Sequence, residues 1–289
     1  MKTYIPLFYS EKVKRPGRKY FLTSILGEDF LILLLSYAYH ITHFWQTVVA
    51  LLLLQIAFWC IYELGYIEND IIGEKFEDKA ILSYNYDSYE YSFRLWQPWA
   101  WSFILSAVAI FFIQSSNIDS SLHLIPFSQE QERGIVIAES YCYWIAFLVI
   151  LRFIFHIYNH LNKQSRVWFY SLLQACRYCG YLILFTANTV GLMLLISNIM
   201  TRSIQYILYR YMGGKSSSWP MDFPRYFFCF LIFILLIGIT AINERNLSLI
   251  LNYQLPTIAL FCLARGYKHF YKVYSQFVSV AEDGSSHVT

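Results

Sequence analysis

Trp45-Gln-Thr-Val-Val-Ala-Leu-Leu-Leu-Leu-Gln-Ile-Ala-Phe-Trp-Cys-Ile-Tyr-Glu-Leu-Gly-Tyr-Ile67 is an apolar run that passes directly into Glu68-Asn-Asp-Ile-Ile-Gly-Glu-Lys-Phe-Glu-Asp78. The run is long enough to cross the hydrocarbon core of a bilayer, which takes about 20 apolar residues as a helix. Acid begins before the run ends: from Glu63 to Asp78, six of sixteen residues are carboxylates. Carboxylates beside hydrocarbon are costly unless a cation, a partner or a water-filled cavity compensates them. The stretch therefore predicts a membrane helix and, where that helix ends, a site.

Composition extends the first inference to the whole chain. Of 289 residues, 57% are hydrophobic, 20% aromatic and 14% charged. A soluble domain carries about a quarter charged residues. Apolar stretches recur near 27–43, 45–67, 97–114, 134–158, 168–187, 189–210, 226–243 and 247–265. The expected fold is an all-α polytopic membrane protein, a bundle of about eight transmembrane helices (about seven to nine). The run from 168 to 210 is about twice one crossing, and Thr186-Ala-Asn-Thr-Val-Gly191 supplies the turn that splits it. Nothing in the first residues reads as a cleavable signal peptide, and the six cysteines read as packing residues within apolar runs.

Charge orients the spans. Lys2, Lys12, Lys14, Arg15, Arg18 and Lys19 precede the first, Lys163 and Arg166 follow the fourth, and Arg210, Lys215 and Arg225 follow the sixth. Arg265, Lys268 and Lys272 follow the last, while the alternate loops hold only Arg133 and Arg245. By the positive-inside rule both termini are cytoplasmic, and so is the acidic stretch. The expected organisation is a basic N-terminal segment 1–26, a single transmembrane domain 27–272 with cytoplasmic loops 68–96 and 211–225, and a tail 273–289. Tyr84, Tyr86, Tyr89, Tyr91, Trp96, Trp99 and Trp101 crowd the end of the first of these loops. They fit either a re-entrant segment over the cytoplasmic mouth or an ordinary aromatic belt.

If the second span stays helical to Asp70, then Glu63, Ile67 and Asp70 share a face at i, i+4 and i+7. Asn69, Asp70, Glu77 and Asp78 then offer hard oxygen ligands at the helix end, the donor type that Mg²⁺ takes together with water and substrate phosphates. The plainer reading is a solvated acidic loop paired with Lys75 and Lys79.

The same residues resemble the UbiA superfamily of intramembrane prenyltransferases, which carry N-D-x-x-D-x-x-x-D after the second helix. Asn69 and Asp70 match its first two positions, Gly73 falls on the third and Glu77 on the fourth, with Asp78 and Glu74 adjacent. Gly65-Tyr66 before them is also similar to that family's helix end. The second motif of the family, D-x-x-x-D after the sixth helix, is absent: the equivalent loop holds Asp222, and Tyr226 stands four residues on. The resemblance implies a UbiA-like helical fold and a divergent intramembrane transferase. Its substrate would be a polyprenyl (di)phosphate or similar phospho-isoprenoid, with Mg²⁺ held by Asn69, Asp70, Glu77 and Asp78 at the cytoplasmic face.

Three arginines fall inside apolar runs. Arg152 has His156, Asn159 and Lys163 at helical steps on its face, Arg177 stands near Gln174, Tyr170 and Tyr181, and Arg202 lies between Asn198 and Gln205. An arginine in lipid faces a cavity or an ionic partner, and its planar fork suits phosphate oxygens. One reading lines a headgroup cavity with all three; the other lets them neutralise Glu63 or Glu139, or snorkel to the interface. In the transferase reading Asp70, Arg152 and Arg177 are catalytic, and Glu63, Tyr66, Lys163 and Arg202 contact substrate. The alternative is a non-catalytic subunit, transporter or lipid-binding protein on a UbiA-like scaffold. Either way the partner is a membrane lipid or isoprenoid phosphate, and nothing in the sequence points to nucleic acid. His156 and His160 stand at i, i+4, but seven histidines in all are too few for the histidine boxes of membrane di-iron enzymes. The lone Cys176-Arg-Tyr-Cys179 reads as helix packing.

Overall fold

In a computed structural model, the chain is described over residues 3–39, 43–77, 82–86, 94–115, 133–162, 164–211 and 222–274. Most of these residues are helical, and no strand occurs among them. They fall into two compact units, Met1–Gly191 and Leu192–Thr289.

The first unit opens with a π-helical turn, Tyr9–Lys14. A second π-helical stretch, Phe21–Phe30, runs straight into α1, Leu31–Tyr37. Then come α2 (Phe44–Phe76), α3 (Trp96–Ser115), α4 (Arg133–His160) and α5 (Arg166–Cys179), which ends in a 3₁₀ turn at Gly180–Ile183. Helix α6, Thr189–Tyr211, carries the chain into the second unit, followed by α7 (Asp222–Asn243) and α8 (Gln254–Tyr274).

Among the described residues six helices are long and apolar enough to cross a membrane, namely α2, α3, α4, α6, α7 and the segment Leu247–Tyr267. The other two expected spans are shorter helices. The first is the π-to-α segment ending at Tyr37, and the fifth is α5 with its 3₁₀ turn. The break between the fifth and sixth lies where the sequence placed it. Asn188 accepts a hydrogen bond from Gly191 N at 2.7 Å, so its amide oxygen caps the first turn of α6.

Helix α2 is the axis of the first unit. The most apolar window of α2 is 72% buried, against 17–50% for the other candidate spans. Its 33 residues make a rod of about 50 Å, which exceeds the roughly 30 Å of a hydrocarbon core. The expected loop 68–96 consequently starts later than its sequence implied, because α2 stays helical to Phe76. Acid is tolerated there because α2 outruns the hydrocarbon and its carboxylates find partners.

Two glycines let their backbones close on α4. A methyl on Gly65 would stand 2.4 Å from the Phe155 ring of α4, and one on Gly180 would stand 2.2 Å from Phe147. Trp144 of α4 donates to Ser106 of α3 at 2.9 Å, satisfying a fully buried indole. The outer faces of α3 and α4 carry Ile104, Phe111, Val149 and Phe153 exposed, as lipid-facing surfaces require. In the second unit, α7 and α8 pack through Tyr226 and Phe261, whose rings meet edge to face at 5.9 Å. Arg265 Nε donates to the Tyr226 hydroxyl at 3.1 Å.

Candidate functional site

Glu63 and Asp70 lie buried on one face of α2, and the N-terminal segment closes over that face. Glu63 Oε2 accepts from the Tyr4 hydroxyl at 2.6 Å and from Leu7 N at 3.1 Å, while Oε1 accepts from Ser10 N at 2.6 Å. Three donors replace the water this carboxylate loses on burial. Burial first, and Glu63 beside it second, push the Tyr4 phenol well above its ordinary range, so it stays a neutral donor.

Two turns further along, Asp70 accepts from the Tyr9 hydroxyl at 2.7 Å and pairs with Lys14. Between the two acids Ile67 packs with Tyr9, Val13 and Tyr86. Tyr86 in turn donates to Glu74 at 2.8 Å, and Asn85 donates to the Lys12 carbonyl at 2.8 Å. The described part of the aromatic segment thus locks the N-terminal turn onto α2. Tyr89, Tyr91 and Asp78 lie outside the described residues.

The remaining acids face elsewhere. Glu68 meets α4: Arg152 Nη1 donates to it at 2.7 Å, Asn159 Nδ2 at 2.9 Å, and His156 Nδ1 lies 2.8 Å from its other oxygen. Asn159 also donates to the Gly65 carbonyl at 3.0 Å, at the point of closest approach. Glu77 accepts from Arg166 Nη1 at 2.6 Å. The same guanidinium reaches the carbonyls of Asn159 and Leu161, each at 2.9 Å, where the last carbonyls of α4 lack helical donors.

Deeper in the unit, Arg177 makes a paired contact with Asp29, whose second oxygen accepts from Tyr178 at 2.6 Å. The Arg177 guanidinium also lies 4.8 Å from the Trp59 ring centre and 5.5 Å from that of Tyr62. Tyr20 and Tyr66 continue this aromatic cluster, with centroids 5.9 and 6.2 Å from Trp59. Arg15 approaches the same cluster from the N-terminal segment. Its guanidinium is 5.3 Å from the Tyr20 centroid, and its Nε is buried without a hydrogen-bond partner.

The sequence-predicted site is therefore split. Arg152, His156 and Asn159 do share a face and converge, but on Glu68. Arg177 is neutralised by Asp29, so the partners of these two arginines are Asp29 and Glu68, where the sequence pointed to Glu63 or Glu139. Arg152 and Arg177 sit in separate networks. Arg202 belongs to the second unit, where it is buried on α6, and Lys163 lies outside the described residues. Tyr66 joins the cluster with Lys14 5.9 Å above its ring.

As a Mg²⁺ site, Asn69, Asp70 and Glu77 do not fit together in this fold. Asp70 and Glu77 are seven residues apart on one helix and its cap, about 10 Å along the axis, whereas Mg²⁺ draws its oxygens to about 2.1 Å. Each carboxylate is also already engaged, by Tyr9 and Lys14 and by Arg166 respectively.

Sequence reasoning missed Tyr4, Tyr9, Asp29, Glu68 and Arg166 as partners. One signal was present for Asp29: an intramembrane Arg177 demands an acid, and Glu28-Asp29 at the start of an apolar run was available. Comparison with protein-family models, curated proteins and solved structures gives no match to this chain.

Proposed function

We propose that this chain is a multi-pass membrane protein that receives the phosphate head of an isoprenoid-type lipid where its N-terminal segment meets α2, on a UbiA-like scaffold. The observation that supports this reading is Arg15. Its guanidinium is half-buried among Tyr20, Tyr66 and Arg177; Tyr66 takes one of its hydrogen bonds, and Nε is left without an acceptor. A guanidinium so held pairs best with a phosphate oxygen. Lys12, Arg18 and Lys19 are exposed on the same segment and extend the positive field towards an anionic surface, at about 1 kcal/mol per residue. The basic bias of the loops puts this end of the chain, and both termini, on the cytoplasmic side.

Glu63 and Asp70 have a structural part in this reading: they hold the segment that carries Arg15. No step runs through Mg²⁺. The rings around Arg177 favour a second reading, in which the same site performs group transfer. In that reading the bond from the allylic carbon to the phosphate oxygen breaks, Arg15 holds the departing phosphate, and an acceptor hydroxyl bonds to the carbon and gives up its proton, with Trp59 and Tyr62 as the rings that face the positive charge.

The test is lipid mass spectrometry of the purified protein, with binding of farnesyl diphosphate measured in detergent. Headgroup recognition predicts a co-purifying isoprenoid phosphate and about tenfold weaker binding in Arg15→Gln, a loss of about 1.4 kcal/mol. Equal binding in Arg15→Gln and wild type would overturn it. Formation of a new prenylated lipid in proteoliposomes would select the transferase reading; binding without product selects the non-catalytic one.

A further inference from the structure

His156 and His160 stand one helical turn apart near the end of α4, opposite Glu68 of α2. One ligand atom from each of the three lies within 4.8 Å of the others. We propose that Glu68, His156 and His160 form a binding site for a Zn²⁺-class divalent ion that clasps α2 to α4. This site is independent of the lipid-phosphate reading, since it shares none of its residues.

The donor set decides the metal. Two imidazoles and one carboxylate suit zinc and its neighbours, whereas Mg²⁺ takes oxygen ligands. Three protein ligands leave a fourth position open, and His156 is 55% exposed, so solvent reaches it.

The surrounding hydrogen bonds already orient the ligands. His160 Nδ1 lies 2.8 Å from the His156 carbonyl; donating there directs its Nε2 lone pair away from the helix backbone. Arg152 and Asn159 both hold Glu68 Oε2, which leaves Oε1 on the histidine side. Tetrahedral zinc needs its ligand atoms about 3.3 Å apart, and the exposed imidazoles close that gap by rotating about their own side-chain bonds. In the metal-free protein the hydrogen bond between His156 and Glu68 holds the same groups together. The ion must displace it to bind.

The experiment uses tag-free, EDTA-stripped, full-length protein in detergent, with Zn²⁺ binding followed by calorimetry and metal content after gel filtration by mass spectrometry. Co²⁺ absorption reports the ligand set. The expected result is one Zn²⁺ per chain, unaffected by millimolar Mg²⁺, with tetrahedral Co²⁺ bands. His156→Ala/His160→Ala should lose this binding while the stripped variant melts at the wild-type temperature, since both imidazoles are exposed. Asn159→Ala, which removes the amide that donates to Glu68 and to the Gly65 carbonyl, should weaken it about tenfold. Equal Zn²⁺ content in wild type and the double-histidine variant would overturn the site, as would no saturable binding by wild type at millimolar Zn²⁺.

Discussion

Two faces of α2 carry acids from the same sixteen-residue stretch, and their surroundings differ. On the face of Glu63 and Asp70, the carboxylates are buried and meet phenols, backbone N–H groups and one lysine from a single neighbouring segment. On the face of Glu68, the carboxylate is 18% exposed and meets an arginine, an asparagine and an exposed histidine on α4. The first face is closed by fixed donors, and emptying it leaves them buried without acceptors. The second is ringed by groups that exchange partners with a solute. Both faces draw their acids from one stretch of sequence; exposure and partner type separate an anchor from a binding site.

The largest expected effect breaks the closed face. Glu63→Ala strands the Tyr4 hydroxyl and the backbone N–H groups of Leu7 and Ser10, at about 1–3 kcal/mol for each buried group left unsatisfied. Thermal unfolding in detergent should drop by many degrees, and limited proteolysis should cut within residues 1–20. A wild-type proteolysis pattern would show that Glu63 does not hold the segment.

Gly65→Ala acts between the two faces. Its methyl meets the Phe155 ring, and overpacking of this kind costs about 1–3 kcal/mol. Because α4 must then shift, Zn²⁺ affinity should fall together with melting temperature. If stability falls while Zn²⁺ binding stays intact, the closed α2–α4 contact is not what assembles the ligands.

Tyr9→Phe removes the hydrogen bond from the Tyr9 hydroxyl to the Asp70 carboxylate, a loss of about 1.5–3 kcal/mol. It should leave Zn²⁺ binding unchanged. The smallest effect belongs to the open face: His156→Ala should alter the stability of the metal-free protein by about 0.5 kcal/mol or less. A large destabilisation there would make His156 a structural partner of Glu68.

Much of this was legible before the structure. The apolar runs and the aromatic content announced membrane helices, and spacing alone put Glu63, Ile67 and Asp70 on one face. The turn before α6 was marked by Asn188 and Gly191. The missing part was long-range. Tyr4 finds Glu63 across 59 residues and Arg177 finds Asp29 across 148, and no periodicity within a helix encodes such a pairing. The N-terminal run was read as basic because lysine and arginine dominate it. Its buried Tyr4, Tyr9 and Val13 do the packing, and they are spaced too irregularly to announce a helix. The extension of α2 past Ile67 escaped hydropathy because the added turns are rich in charge. They are helical because Arg152, Arg166, Lys14 and the N-terminal donors satisfy that charge.

The central claim is that Asp70 anchors the N-terminal segment. A double-mutant cycle on Tyr9→Phe and Asp70→Asn, read by thermal unfolding with and without Mg²⁺, tests it most directly. Direct contact predicts a coupling energy of about 0.5–3 kcal/mol that Mg²⁺ leaves unchanged. Additive effects, with Mg²⁺ stabilising wild type but not Asp70→Asn, would contradict it and return Asp70 to a metal.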